Sequence, residues 1–518
     1  MQRAVTIAAL GMIATMAVAR PGFQKTTRAQ LASTTGMCRH APALAALPPE
    51  TERRQQQGNV RSSGPVPMPM VLDAPPPPPA PAPPPVEPAA PSAPADSAVA
   101  EDRAGSDVVV TGSLARRGSS SESAAPVTVV SEEPLSRDGY RGPQPQAGLL
   151  TAGEHDDLLN PELYANYVRR SDLGQRWPVL PSVDTGRALT VAVTDAAGQP
   201  MPLADVVLTC ADGNSLSLKT LADGTAVFFP TLDRLGSSVR LSVRANGRAL
   251  AADRNVTIPG APGGQRISVT AAGTASATAK FDLMLVVDTT GSMGDEISYL
   301  QAELRSILAS IKASHPQLAM RVALVFYRDT DDDYVTRSMP FTASLDATQA
   351  KLRAQSANGG GDYPEAVDIA MNRAVNDFQW RGDAVKSMLW VADAPPHDEL
   401  VGKAWAAAEV ARAKRIQIVP VAASGVAKEA EFMMRAMAAA TQSRYLFLTD
   451  DSGIGLPHNK PAIDCYLVTK LDALVRRVLD SQISGRRIEP ASNEVIRTVG
   501  KYDAGKCVLP SRDWQQDD

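Results

Sequence analysis

Aromatic side chains make up only 5% of the 518 residues, and histidine occurs five times. A chain with so few rings does not pack along its whole length, and scattered histidines leave little basis for an imidazole-rich metal or catalytic cluster. Cysteine is sparse too, with four residues, no CxxC pair and no Cys/His spacing suited to zinc. Net charge is −4, and no basic stripe stands out, which excludes the electrostatic footprint of nucleic-acid binding or of a polybasic membrane contact. GxxxxGK[ST], HExxH and GxSxG are all missing, so phosphate-loop nucleotide chemistry, zincin chemistry and a serine-hydrolase elbow have no sequence signature. Past residue 19 no apolar run is long enough to span a bilayer.

Proline is plentiful by contrast, at 41 residues, and crowded into one region. Ahead of that region, residues 1–19 combine Arg3, an apolar run from Ala4 to Ala19 and the small trio Ala17-Val18-Ala19, a pattern that predicts a secretory signal peptide; an uncleaved anchor is the alternative. Residues 20–106 read as a disordered leader, with a semi-rigid polyproline spacer over 64–94. Cys465 and Cys507 fit an oxidising compartment, and a bridge between them pins the tail (485–518) onto the last helix, at about 4 kcal/mol by the loop-entropy model. Pairing stays open at this level: Cys210 ends a strand-like run and reads as a small buried residue, and Cys38 sits in the polar leader.

Hydrophobic period separates the remaining parts. Between 186 and 275, short alternating runs such as ADVVLTC, SLSLKT and SVRLSVRA, split by Asp-Gly and Asn-Gly turns, predict a small antiparallel β-sandwich. From 278 to 484 the runs FDLMLVVD, MRVALVFYRD, SMLWVAD, RIQIVPVAA and RYLFLT are almost continuously apolar, as in strands covered on both faces. Helical spacing lies between them, at Ile297 to Ile311, Ala366 to Phe378, Leu400 to Ala413 and Lys470 to Leu479. The fold class is therefore multidomain: a doubly wound, Rossmann-like α/β domain, a small β-sandwich and a disordered proline-rich N-terminal region.

The first buried strand of the α/β region runs into Asp288-Thr289-Thr290-Gly291-Ser292. This D-x-[ST]-x-S motif resembles the metal-ion-dependent adhesion site of von Willebrand factor type A domains, and the likeness extends across 278–484. It implies a divalent cation, Mg²⁺ first and Mn²⁺ or Ca²⁺ next, held by Asp288, Thr290 and Ser292 together with two later loops. GGGDYPEAV places Asp362 where the family usually has a threonine, and WVADAPPH places Asp393 where it has its last acid. Hard oxygen donors at a strand end suit such cations on physical grounds as well. Asp329, Glu365 and His397 are candidates for the rim or for supporting contacts, with Arg328, the Asp331–Asp333 run, Tyr327 and Tyr363 nearby. Three carboxylates outweigh the charge of one cation, which predicts firm metal retention and less reliance on a partner's acid.

Two weaker resemblances frame that domain. Residues 107–131, within a 107–185 stretch that ends in a linker helix, resemble the plug entry of TonB-dependent receptors, and 186–275 resembles carboxypeptidase-regulatory-like or Ig-like modules of exported proteins. Together they imply an exported, non-enzymatic, metal-dependent protein-binding or adhesion module in the periplasm or on the surface of a Gram-negative bacterium, with an unidentified protein ligand. The alternatives are an envelope-assembly component whose metal only stabilises loops, and a metal-dependent hydrolase.

Overall fold

The computed structural model describes residues 36–50 and 146–508, apart from 296, 455 and 456. The apolar leader at 1–19, the spacer at 64–94, the plug-like stretch at 107–131 and residues 509–518 lie outside the described residues.

Main-chain pairing begins earlier than the hydrophobic pattern predicts. Thr151–His155 (β1) is a strand buried at every position, followed by the helix Pro161–Arg170 (α1). TAGEH carries no apolar alternation, which hides the strand from sequence. It is set by antiparallel ladders on both sides, where backbone groups find their partners. Gly153 permits this, because a Cβ there would lie 2.5 Å from the Phe447 ring.

The next region holds Leu189–Thr194 (β2), Asp205–Thr209 (β3), Ser215–Lys219 (β4), Thr225–Phe228 (β5), Ser238–Ala245 (β6), Arg248–Ala249 (β7), Arg254–Thr257 (β8) and Gln265–Thr270 (β9). They form two sheets, β5-β2-β9 and β4-β3-β6-β7, with β8 also on β6. Alternate side chains from both, including Val191, Val206, Leu208, Phe228 and Leu241, share one core. One pairing departs from the antiparallel expectation: β9 runs parallel to β2, because the chain reaches it from the other sheet and not through a hairpin.

The main sheet follows. Its elements are Lys280–Asp288 (β10), Ile297–Ser314 (α2), Ala319–Tyr327 (β11), Thr336–Thr342 (β12), Leu345–Arg353 (α3), Val367–Asn376 (α4), Val385–Ala392 (β13), Val401–Ala413 (α5), Ile416–Ala422 (β14), Lys428–Ala440 (α6), Tyr445–Thr449 (β15), Tyr466–Lys470 (β16), Leu471–Ser484 (α7) and Arg497–Val499 (β17). The order is β12-β11-β10-β13-β14-β15-β1-β16-β17. Strands β11, β10, β13, β14 and β15 are parallel, and antiparallel strands extend both sides, giving a mixed sheet. Phe281, Leu283, Leu285 and Val287 of β10 pack with α2 and α7, while Met284 and Val286 pack with α4, α5 and α6. Both faces are thus covered, as the continuous apolar runs require.

Side chains of the smaller region enter the main core: Val227, Phe229 and Leu232 belong to the cluster built on α4, α5 and α6. Arg412 of α5 reinforces the junction with a bidentate pair to Asp233 at 2.7 and 2.8 Å. The region is therefore docked against the helices of the main sheet. Cys38 and Cys210 form a disulfide, so Cys210 is not simply a small buried residue and the leader is not loose at this point. Beyond the bridge, Arg39 pairs bidentately with Glu409 at 2.6 and 2.8 Å, and Asn372 and Arg373 donate to the carbonyls of Ala45 and Pro48. Residues 36–50 thereby strap α5 and α4.

Cys465 and Cys507 are also joined. The tail is held against β16, the start of α1 and the last helix: β17 pairs with β16, Cys507 N donates to Asn160 Oδ1 at 2.8 Å, Asn160 Nδ2 donates to Gly505 O, Ile488 N donates to Ser481 Oγ at 3.0 Å, and Arg477 donates to Glu494.

Arg435 of α6, 1% exposed, ties the early segment into the sheet. It donates to Asp157 at 2.7 and 3.1 Å, to Glu431 at 3.1 Å and to the Ala462 carbonyl at 2.9 Å, and it stacks 3.9 Å from the Tyr167 ring. Burial disfavours the Asp157 carboxylate, but Arg435 and then His155 overcome that and hold its pKa at about 2, below its ordinary 3.8. Removing one partner of a buried pair strands the other charge, so Asp157→Ala is expected to lose about 3–5 kcal/mol at pH 7. A depressed carboxylate stabilises fully above its unfolded value and loses that contribution as pH falls through the folded one. The gap between wild type and variant should accordingly shrink between about pH 4 and pH 2, which denaturant unfolding at the two ends of that range checks.

Candidate functional site

In the parallel part of the sheet, β10 leads to β11 on one side while β13 lies on the other, so the chain reverses direction at β10. Ligands of open α/β sheets sit at such a switch point, beyond the carboxyl ends of the strands. Asp288 is the last residue of β10, and Asp393 directly follows β13.

The loop after β10 is built from its own short polar side chains. Asp288 Oδ1 accepts from Thr290 N at 3.0 Å and from Thr290 Oγ1 at 2.7 Å, and the Thr290 and Ser292 hydroxyls lie 3.2 Å apart. Asp288, Thr289 and Thr290 are fully buried. Thr289 turns the other way, donating its amide to Tyr327 O and placing Oγ1 2.7 Å from the Tyr334 hydroxyl.

The second loop differs from expectation in which acid it turns inward. Asp362 is exposed, and the buried acid is Glu365, 2% exposed. Pro364 precedes it, and Glu365 N donates to the Pro395 carbonyl at 3.0 Å, forming a bridge beside the loop that carries Asp393. Gly360 makes the approach possible: its φ is +72°, and a Cβ there would lie 3.0 Å from Glu365 Oε1 and 3.3 Å from Thr290 Cβ.

Charge crowding follows from this packing. Burial, then the charge of Asp393, push Asp288 up to about 7. Burial, then Asp288, Asp329, Asp332 and Asp393, push Glu365 up to about 10. Among the described residues, Asp288 Oδ2 and Glu365 Oε2 are buried with no hydrogen-bond partner. Unmatched buried acceptors of this kind suit an oxygen-ligated cation. Among the described residues, however, no group of three or more histidine, cysteine, aspartate or glutamate side chains is assembled closely enough to hold a metal by itself. The carboxylates sense one another, and the nearest additional donors are the Thr290 and Ser292 hydroxyls.

The supporting residues divide differently from the sequence pattern. His397 Nε2 lies 3.0 Å from Asp329 Oδ1; burial lowers its pKa, but the Asp329 hydrogen bond and charge prevail and raise it. Tyr327 is not at the rim but fully buried, its hydroxyl accepting from Trp390 Nε1 at 3.1 Å. Tyr363 does sit at the rim, with its hydroxyl donating to Asp393 O at 3.2 Å and accepting from Ala427 N at 2.8 Å. Asp332 is no bare solvated turn: it accepts from the amides of Asp329 and Gly360.

Arg328 is the residue that the sequence pattern undervalues. Only 5% exposed, it donates to Thr289 O and Ser356 O, each at 3.0 Å, with its guanidinium 4.6 Å from the Tyr334 ring. One side chain thus fastens the β10 loop to the segment that delivers Gly360 and Glu365. Its only signal in sequence is position, directly after β11. Arg328→Lys keeps the charge but cannot span both carbonyls, and it should cost about 1–3 kcal/mol, read by thermal unfolding.

Residues 282–457 match the family described as von Willebrand factor A domain. A putative ariadne-like RING finger protein of Acanthamoeba polyphaga mimivirus is 36% identical over 119 residues, 22% of this chain and 11% of that protein. The alpha-protein kinase vwkA of Dictyostelium discoideum is 27% identical over 117 residues, 22% of this chain and 19% of that one. The chain therefore spans less than a fifth of either relative. Among solved structures, the conserved hypothetical protein BatB from Bacteroides thetaiotaomicron and an aerotolerance-related membrane protein from Bacteroides fragilis align at 12% and 13% identity, each with a TM-score of 0.28, over 39% of this chain and 98% of theirs. On the family match over its buried-strand region, this chain carries a von Willebrand factor A domain at residues 282–457.

Proposed function

We propose that the protein is an exported, metal-dependent protein-binding module whose cation site lies at the carboxyl ends of β10 and β13. One observation carries the reading: Asp288 Oδ2 and Glu365 Oε2 are buried and unmatched beside the Thr290 and Ser292 hydroxyls, at the switch point of the sheet. Asp288, Thr290 and Ser292 supply the first loop, Glu365 the second and Asp393 the third. Asp362 stays at the solvent edge and adds field, not a bond. A bound Mg²⁺, or Mn²⁺ in its place, supplies a positive centre to which an acidic or carbonyl oxygen of a partner protein attaches.

Within the chain, Arg328 and Asp332 hold the loops in place, Tyr363 presents a 39% exposed ring beside the site for a partner to cover, and Gly360 leaves room for Glu365. Three carboxylates around one divalent ion leave the site net negative, so metal retention depends little on the partner. Export is supported by two disulfides, which persist in oxidising compartments, and by the apolar run at the N-terminus. No helix among the described residues is long and apolar enough to cross a membrane.

Calorimetric titration of Mg²⁺ and Mn²⁺ into the full chain tests the reading. Saturable binding should be lost in Asp288→Ala, weakened about 10–100-fold in Glu365→Gln and nearly unchanged in Asp362→Ala. Equal binding by wild type and Asp288→Ala contradicts it, and loss of binding in Asp362→Ala reassigns the second loop.

A further inference from the structure

At the opposite end of the parallel strands from the cation site, where β14 and β15 begin, lies a cavity of about 320 Å³. Separate parts of the chain wall it: the loop before α1, the turn between β4 and β5, strands β2 and β9, and the end of α7. Gln442, before β15, joins two of them, accepting from Val227 N and donating to Thr225 Oγ1, each at 3.1 Å. Gly485, just past α7, has a φ of +68°, and a Cβ there would overlap the Ala222 carbonyl, so the helix end and the turn are in direct contact. Arg487 fastens the same end of α7 to Asp156 at 3.1 Å. The space is thus set by the fold itself, as ligand pockets at junctions between packed units commonly are.

Both signs of charge line it. The buried Arg444 gives Nη1 to Glu154 at 2.8 Å and makes no other side-chain hydrogen bond among the described residues. Arg266 of β9 is exposed and, among the described residues, has neither an ion pair nor a side-chain hydrogen bond. Arg487, by contrast, is taken up by Asp156 and Glu489, and Asp156 also accepts from the amides of Leu158 and Leu159. Asp223 is the acid left over, accepting only from Thr225 N at 2.9 Å and Thr225 Oγ1 at 2.8 Å. Desolvation raises its carboxyl above the ordinary range, against the Thr225 bonds and then the charge of Arg266, a cost that a cationic group alongside offsets. Leu158, Leu159, Leu221 and Val478 make the apolar part of the wall.

We propose that this cavity binds a free α-amino acid with an aliphatic side chain, its carboxylate on Arg266 and Arg444, its ammonium on Asp223 and its side chain against the leucines. Guanidinium donors match a carboxylate in geometry as well as charge. An ammonium and a carboxylate on one carbon need an acid and a guanidinium near each other, and Arg266 is close enough to Asp223 to act on its ionisation. A simple anion meets the charge of Asp223 and a simple cation meets the arginines, so the lining selects against either alone. The volume lies at the low end of the roughly 300–1,000 Å³ of ligand pockets, which suits one residue and not an extended peptide. No divalent ion enters into this binding.

Calorimetric titration of leucine into the full chain, in EDTA, tests the proposal. Three further probes accompany it: 4-methylpentanoate, which lacks the ammonium, 3-methylbutylamine, which lacks the carboxylate, and leucyl-leucine, whose end charges are farther apart. Saturable binding of leucine is expected, weaker by about 10–100-fold for each of the other probes and for leucine itself in Arg266→Ala and Asp223→Asn. Arg266 bonds to no other side chain, and Asn-Gly forms the same turn as Asp-Gly, so both variants should unfold at the wild-type temperature without ligand. No binding of leucine, equal binding of any other probe, or unchanged leucine binding in either variant overturns the proposal. EDTA separates these outcomes from the cation site, whose failure is read by the metal titration alone.

Discussion

Negative charge is buried where the carboxyl ends of β10 and β13 meet, and much of the surrounding structure is arranged to tolerate it. Asp288 is wholly inside and Glu365 nearly so; Asp288 raises the cost of ionising Glu365, and Asp393 that of ionising Asp288. Left alone, like charges at this depth spread apart or take up protons. Here the backbone prevents spreading: Arg328 holds the Thr289 and Ser356 carbonyls, Asp332 holds the Gly360 amide, and Glu365 N is bonded to Pro395 O. A divalent cation at this place would relieve the same repulsion.

Rigidity at that end rests on packing far from it. The parallel strands are covered on both faces, and the sheet is continued past β15 by β1, a strand from well outside the region that matches the family. Arg435 and Asp157 fix that strand's neighbourhood through a buried pair, and the Cys465–Cys507 bridge fixes the strands beyond it. On the other side of the domain, Cys38–Cys210 and the Arg39–Glu409 pair secure the strap over α5. A last helix flanked by β16 and the bridged tail has little freedom to slide, so ligand binding is expected to proceed with small movement of α7.

Some of this is legible in the chain and some is not, for identifiable reasons. Strands β10, β11, β13, β14 and β15 are visible because both faces are apolar, leaving continuous runs such as FDLMLVV. β1 is not, because TAGEH is held by backbone ladders, and neither is β12, whose edge position leaves TRSMPFT half exposed and interrupted by Pro340. α6 is not among the helices read from the sequence, although its segment KEAEFMMRAMAAA is buried at every position from Ala430 to Ala440. The β10 loop is legible because Asp, Thr and Ser at alternate positions have a local reason to be there. That Glu365 is buried while Asp362 is exposed goes with a bridge to Pro396, 31 residues on, and no local pattern records it. The Cys38–Cys210 link joins residues 172 apart, equally beyond local reading.

The proposed cation site has a single divalent ion among Asp288, Thr290, Ser292, Glu365 and Asp393. Crystals of the protein grown with Mn²⁺ and measured at the manganese absorption edge test it directly. One strong anomalous peak is expected in that cluster, with the Asp362 carboxyl outside bonding distance. A peak at Asp362 with Glu365 turned away, or no peak in the cluster at saturating Mn²⁺, contradicts it.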